Sequence, residues 1–282
     1  MNRSEVITFL PDIKEIQESP LVIDGREVAF QVSVISKEGI PLGSGFDQNR
    51  DTAQKKAISE AIERRLVENL LASEKQAEML LNEYPTSCGF AVGLTLQETK
   101  ERALAEAVER WLRSKWIDDG YLIMEFPLDV SELNPIEKYF AQQFKLVRLF
   151  VHSCSVFFEE REYNINSVIT VGLTDKGAFV GSKSAANRKA SLLASLVESW
   201  RHKALSQETR FYMPEMDIVK YFSTHKQEAL DQIDKAVKHS IPSPKIRLAK
   251  EIPLPIQGAF AYRALCEDFK GWHGPDITRF VY

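Results

Sequence analysis

The sequence predicts an α/β fold of the mixed α+β kind, and three observations carry that prediction. Short runs rich in Val, Ile and Phe are interleaved with long helical stretches. In those stretches the apolar residues step by three and four along the chain, the spacing of a helix with one buried face. A strand, a glycine-containing loop and a long helix recur as a unit, first around Gly43 to Leu71 and again around Phe179 to Leu205, which indicates an internal duplication.

Taken in order, Val6 to Leu10, Val22-Ile23 before Asp24-Gly25, and Val28 to Ile35 read as short strands of a meander. Gly43-Ser44-Gly45 reads as a flexible loop ahead of a helix from about Arg50 to Leu71, capped by Asn49 or Asp51. Ala53, Ala57, Ile58, Ala61, Ile62, Leu66 and Leu70 form its apolar face. Residues 72 to 85 read as a second polar helix or a loop closed by Pro85. Thr95 with Glu98 forms a capping box for a helix that runs to about Ile117 and stops at Asp118-Asp119-Gly120. A strand, a loop with Pro127 and Pro135, a short helix near Ile136 to Gln143 and an apolar run from Leu146 to His152 follow. Val168 to Leu173 is a strand, and Phe179-Val180-Gly181-Ser182 leads into a helix from Ala185 to Leu205. Met216 to Val237 looks helical, Ile241-Pro242-Ser243-Pro244 is a linker, and Phe260 to Leu265 is a final strand before the Gly271 to Tyr282 tail. The repeated unit implies one domain of two pseudo-repeated halves, roughly 1–120 and 121–282.

Composition excludes several function classes. With 36 basic and 40 acidic side chains and a net charge of −4, no global positive field draws the chain to nucleic acid or to an anionic membrane. No run approaches the roughly 20 apolar residues of a membrane span, so a cytoplasmic location is expected. Cys88, Cys154 and Cys266 are far apart and form no metal-ligand spacing; they read as free thiols. Trp111, Trp116 and Trp200 occupy helical positions and read as core or interface aromatics. Lys183, Arg188 and Lys189 read as a solvated face, with phosphate contact as the alternative.

The chemistry-bearing pattern is Glu60-Ala61-Ile62-Glu63-Arg64, repeated as Glu106-Ala107-Val108-Glu109-Arg110 and, altered, as Glu198-Ser199-Trp200-Arg201. Residues three apart on a helix share a face, so each Glu-x-x-Glu pair points two carboxylates the same way. Two such helices facing each other place four carboxylates around one cation, an arrangement that suits Mg²⁺ carrying nucleotide phosphates.

These residues, in their order and spacing, resemble the YcaO family over about residues 28 to 205: glycines before Glu60-x-x-Glu63-Arg64, then Gly89-Phe90-Ala91-Val92-Gly93-Leu94-Thr95 before Glu106-x-x-Glu109-Arg110, then a helix with Glu198. The resemblance implies an ATP- and Mg²⁺-dependent enzyme that activates a peptide or protein backbone amide by phosphorylating its oxygen, as in the biosynthesis of modified ribosomal peptides. It further implies that Glu60, Glu63, Glu98, Glu106, Glu109 and Glu198 are metal ligands. These six, with Arg110, Arg201 and Lys203, would contact the nucleotide. A peptide substrate is expected, with a partner enzyme and a homodimer as further possibilities. The chain departs from the family pattern at Ser44, Lys56, Leu94, Arg201 and Lys203, and a second reading follows from those positions: a non-catalytic YcaO-like protein that binds a peptide or a partner enzyme.

Overall fold

The computed structural model describes residues 3–209, 215–270 and 278–280. Its first elements are α1 (Arg3–Phe9), β1 (Ile13–Ile23), β2 (Arg26–Ser36), β3 (Pro41–Asp47) and α2 (Arg50–Leu71). A short 3-10 turn (Glu74–Gln76) precedes β4 (Phe90–Gly93) and α3 (Leu96–Ile117). Then come β5 (Met124–Phe126), α4 (Pro135–Ala141), β6 (Leu146–Phe158), β7 (Arg161–Leu173), β8 (Ala178–Ala185) and α5 (Arg188–Leu205). The last elements are α6 (Glu215–Phe222), α7 (Lys226–Asp234), β9 (Ile246–Ile252) and β10 (Phe260–Cys266). No helix among the described residues is long and apolar enough to cross a membrane.

The chain divides into two compact units, Met1–Ala107 with Arg247–Leu265, and Val108–Ile246 with Cys266–Tyr282. The first holds two sheets, ordered β1-β2-β3 and β4-β10-β9. Its core joins Val32 and Val34 of β2, the Ala53, Ala57, Ala61, Ile62 and Leu66 stripe of α2, and Phe90 and Val92 of β4. Arg263 is fully buried here, its guanidinium donating to the carbonyls of Met79 and Tyr84 and lying 4.7 Å from the Phe90 ring centroid. Burial lowers its pKa to about 10. The second unit holds the sheet β5-β6-β7-β8 with α5 packed on β7 and β8. Trp116 is buried against Phe150, and the half-buried Trp200 packs on Phe140.

The α+β class and the long helices stand as expected, and several local readings are corrected. Val6 to Leu10 is not a strand: α1 and the residue that follows it bury Val6 and Leu10 in the core that α2 also lines, and the four-residue step lets a β-branched segment serve as a helix. The strand read at Val22-Ile23 is the end of the longer β1, and Asp24 and Gly25, with φ of 50° and 75°, make the tight turn into β2. Gly43-Ser44-Gly45 is the middle of β3 rather than a loop, and the stretch at Gly181 is the middle of β8. Both glycines are required by close approach, because a Cβ at Gly43 would collide with the backbone of Ala57 and Ala61, and one at Gly181 with that of Ser195 and Ser199. The helix after β8 begins at Arg188, where the Asn187 side chain accepts the amides of Lys189 and Ala190. Residues 216 to 237 form two helices, parted at Ser223 to His225, and β9 is a strand that its mixed polar pattern concealed. Most of the Gly271 to Tyr282 tail lies outside the described residues.

Candidate functional site

Of the glutamates singled out by the repeat, Glu60, Glu63, Glu109 and Glu198 are fastened to the edges of sheets. In the first unit β3 ends its sheet, so the amide of Ser44 has no strand partner on that side; it donates to Glu60 Oε2 at 2.8 Å, and the Ser44 hydroxyl donates to the same atom at 3.1 Å. Arg64, one turn on, donates to Glu60 Oε1 at 2.6 Å. Glu63 accepts the amide of Val92, from the edge strand β4, at 2.7 Å. Arg102 of α3 donates to the Val92 carbonyl at 2.8 Å and to Glu63 Oε1 at 3.2 Å, bridging strand and carboxylate.

Burial pushes the Glu63 carboxyl up to about 7. Arg102 and the Val92 amide oppose that shift, while the charges of Glu106 and Glu60 reinforce it. Glu63 thus feels two further carboxylates at this end of the first unit, against which Arg64 and Arg102 supply two positive charges.

The second unit repeats the construction. The amide of Ser182, on the edge strand β8, donates to Glu198 Oε2 at 2.6 Å, and 16 residues separate donor from acceptor here as they do for Ser44 and Glu60. Gly181 and Asn187 stand to α5 as Gly43 and Asn49 stand to α2. By the same interval Arg201 takes the place of Glu63. The second carboxylate of this unit is Glu109, which is buried and accepts the Ser182 hydroxyl at 2.9 Å and the Ser184 amide at 2.8 Å. Arg113 donates to the Ser182 oxygen at 3.1 Å. Burial would raise the Glu109 carboxyl, but Lys183, Arg110, Arg113 and the Ser182 hydroxyl outweigh it and hold the carboxyl below the usual carboxylate value.

The remaining predicted residues are placed as follows. Glu106 is half-buried, and its charge reaches Glu63. Glu98 is exposed at the start of α3, where the Thr95 hydroxyl donates to its carboxylate at 2.9 Å and accepts its amide at 3.3 Å. Arg110 and Arg201 are half-buried, and Arg110 lies in the field of Glu109 and of His202. The Lys203 ammonium donates to the Gln143 carbonyl at 2.5 Å and lies over the Phe144 ring. Lys56, one turn before Glu60 on α2, pairs with Asp47 at 2.7 Å, and Leu94 is 40% exposed. Burial lowers the His152 and His202 pKa values and raises the Cys154 thiol to about 11, which leaves no thiolate for nucleophilic work.

Among the described residues no three His, Cys, Asp or Glu groups stand together closely enough to hold a metal ion. The ring of four carboxylates expected from the helix repeat is therefore not a preformed cage; Glu60, Glu63 and Glu109 are tied to strand edges instead. That arrangement still fits Mg²⁺ carried on a nucleotide, since such an ion keeps waters and phosphate oxygens and takes only one or two carboxylates from the protein. The residues that sequence reasoning missed are Ser182, Ser184, Arg102 and Arg113. Ser182 was legible as the counterpart of Ser44 in the repeated unit; the others become visible only once strand edges are known.

The fold that carries these carboxylates is YcaO-like. The chain superposes on a chain of the E. coli microcin synthetase McbBCD complex with pro-MccB17 bound, with a TM-score of 0.63 at 14% identity, over 90% of this chain and 88% of that one. It superposes on YcaO from Methanopyrus kandleri bound with AMPPCP and Mg²⁺ with a TM-score of 0.53 at 12% identity, over 93% and 86% of the two chains. A heterocyclase in complex with substrate and cofactor gives 0.54 at 12% identity, over 91% of this chain and 50% of that one, so this chain spans about half the heterocyclase. No protein-family model and no curated protein matches the sequence.

Proposed function

We propose that this chain is an ATP- and Mg²⁺-dependent enzyme of the YcaO type, which modifies peptides or proteins by transferring a phosphoryl group to a backbone amide oxygen. The observation that supports this reading is the fixed set of Glu60, Glu63, Glu109 and Glu198 on strand edges of a fold whose Methanopyrus kandleri representative is bound with AMPPCP and Mg²⁺.

ATP supplies the phosphoryl group when bound, and Mg²⁺ neutralises the charge that develops on it. The chain's own part is positioning and charge. Within the first unit Glu60, Glu63 and Glu106 are the carboxylates of which a nucleotide-borne Mg²⁺ would take one or two, and Glu63 would serve only after losing the proton that its burial favours. Within the second, Glu109 and Glu198 are held in line by Ser182 and Ser184. Arg110 and Arg201 would supply the guanidinium groups that contact phosphate oxygens. Glu98 and Lys203 have local structural bonds that account for them without a nucleotide. No cysteine or histidine nucleophile is needed, since electrostatic stabilisation carries such a transfer.

One observation favours the non-catalytic alternative: Arg64 on Glu60 and Arg102 on Glu63 already neutralise the first pair, as a degenerate site would. Titration calorimetry with ATP in millimolar Mg²⁺ decides between them. Binding by the wild type that disappears in Glu60→Gln and Glu109→Gln, with both variants still melting cooperatively, is the expected result. No binding by the wild type refutes the enzyme and leaves a peptide- or partner-binding protein.

A further inference from the structure

Ser182 holds two of the carboxylates at once. Its amide donates to Glu198 at 2.6 Å and its hydroxyl to Glu109 at 2.9 Å, while Arg113 spends one donor on the same hydroxyl oxygen at 3.1 Å. That last bond matters for direction. Arg113 can only donate and an ionised carboxylate can only accept, so the hydroxyl takes the Arg113 bond on a lone pair and gives its proton to Glu109. The serine is 3% exposed and Glu109 likewise, so neither has water as a substitute partner. Gly181, beside it, lets α5 approach β8 closely enough for Glu198 to reach the strand edge.

Glu109 and Glu198 come from different helices, α3 and α5, and no hydrogen bond between them is needed to set their separation; the β8 backbone sets it. The first unit lacks this coupling. Ser44 spends both its amide and its hydroxyl on Glu60 alone, and Glu63 takes its amide from another strand.

We infer that Ser182 is a positioning residue that registers Glu109 and Glu198 against each other for Mg²⁺ binding, acting through the two carboxylates. The inference rests on the ATP·Mg²⁺ reading above. Lost partners behind metal-binding groups cost about 10- to 100-fold in metal affinity. The effect belongs in the metal requirement rather than in the nucleotide's other contacts.

The experiment measures ATP binding by calorimetry across a Mg²⁺ series for wild type, Ser182→Ala, Ser182→Thr and Ser195→Ala. Ser195 is an equally buried serine of α5 whose hydroxyl bonds only to the Leu192 carbonyl of its own helix, so its variant reports the cost of losing a buried hydroxyl as such. Ser182→Ala is expected to raise the Mg²⁺ concentration for half-maximal ATP binding by about 10-fold or more. Ser182→Thr, which keeps the hydroxyl, and Ser195→Ala should remain close to wild type. If Ser182→Ala melts below the assay temperature, Ser182→Cys, which fills the space with a weak donor, takes its place. A Ser182→Ala curve that overlies that of Ser195→Ala overturns the inference while leaving the enzyme reading intact. A wild type with no Mg²⁺-dependent ATP binding removes that reading and the role of Ser182 with it.

Discussion

Glu63 should make the ligand-free protein less stable as pH rises. In the folded chain its carboxyl titrates at about 7 against an ordinary 4.5, so between those values the folded state keeps a proton that the unfolded state has released. Stability therefore falls with rising pH across that window, and the loss is complete above it. At 1.36 kcal/mol per pKa unit the gap amounts to about 3 kcal/mol, a sizeable part of the 5–15 kcal/mol typical of a domain. The Glu63 side chain is 12% exposed, so solvent screening reduces this little. Glu63→Gln keeps an oxygen for the Val92 amide and for Arg102 but cannot ionise. Urea unfolding followed by circular dichroism at about pH 5 and about pH 8 separates the terms, because the other carboxylates titrate in both proteins and cancel in the difference. Relative to wild type, the variant should gain up to about 3 kcal/mol at the higher pH over its difference at the lower one. An equal difference at both pH values refutes the argument that the Glu63 charge is confined without adequate compensation.

Gly181→Ala should destabilise the chain by about 3 kcal/mol, the upper range for overpacking, because the added methyl meets backbone atoms of Ser195 and Ser199 that cannot swing aside; a chemical melt with the midpoint unmoved contradicts this. Lys56→Ser should change ATP affinity by less than about threefold and stability by less than about 1 kcal/mol, since the ammonium is spent on an exposed pair with Asp47. A large change in ATP affinity on calorimetry would place Lys56 at the nucleotide after all.

Much of the architecture was legible because its cause is local. The α2 boundaries follow from the Asn49 cap and the apolar step, and the stop of α3 at Gly120 follows from the need for positive φ, 72° there. The readings that failed share another cause. Glycines at Gly43 and Gly181 look like loop signals in one dimension, whereas they are strand positions on which a helix backbone lies directly. Val6 to Leu10 is strand-like by residue type and helical by what it packs against.

The candidate site divides in the same way. Sequence alone determined which helices carry Glu-x-x-Glu pairs, that the pairs point sideways from an apolar face, and that the unit containing Glu60 returns in the unit containing Glu198, because helix periodicity and residue spacing are properties of a short stretch. Tertiary structure alone decided what those carboxylates touch. Edge-strand amides at Ser44, Val92, Ser182 and Ser184 are left without ladder partners only when the sheet order places β3, β4 and β8 at the rim, and a buried carboxylate takes its charge state from such partners rather than from its neighbours in sequence.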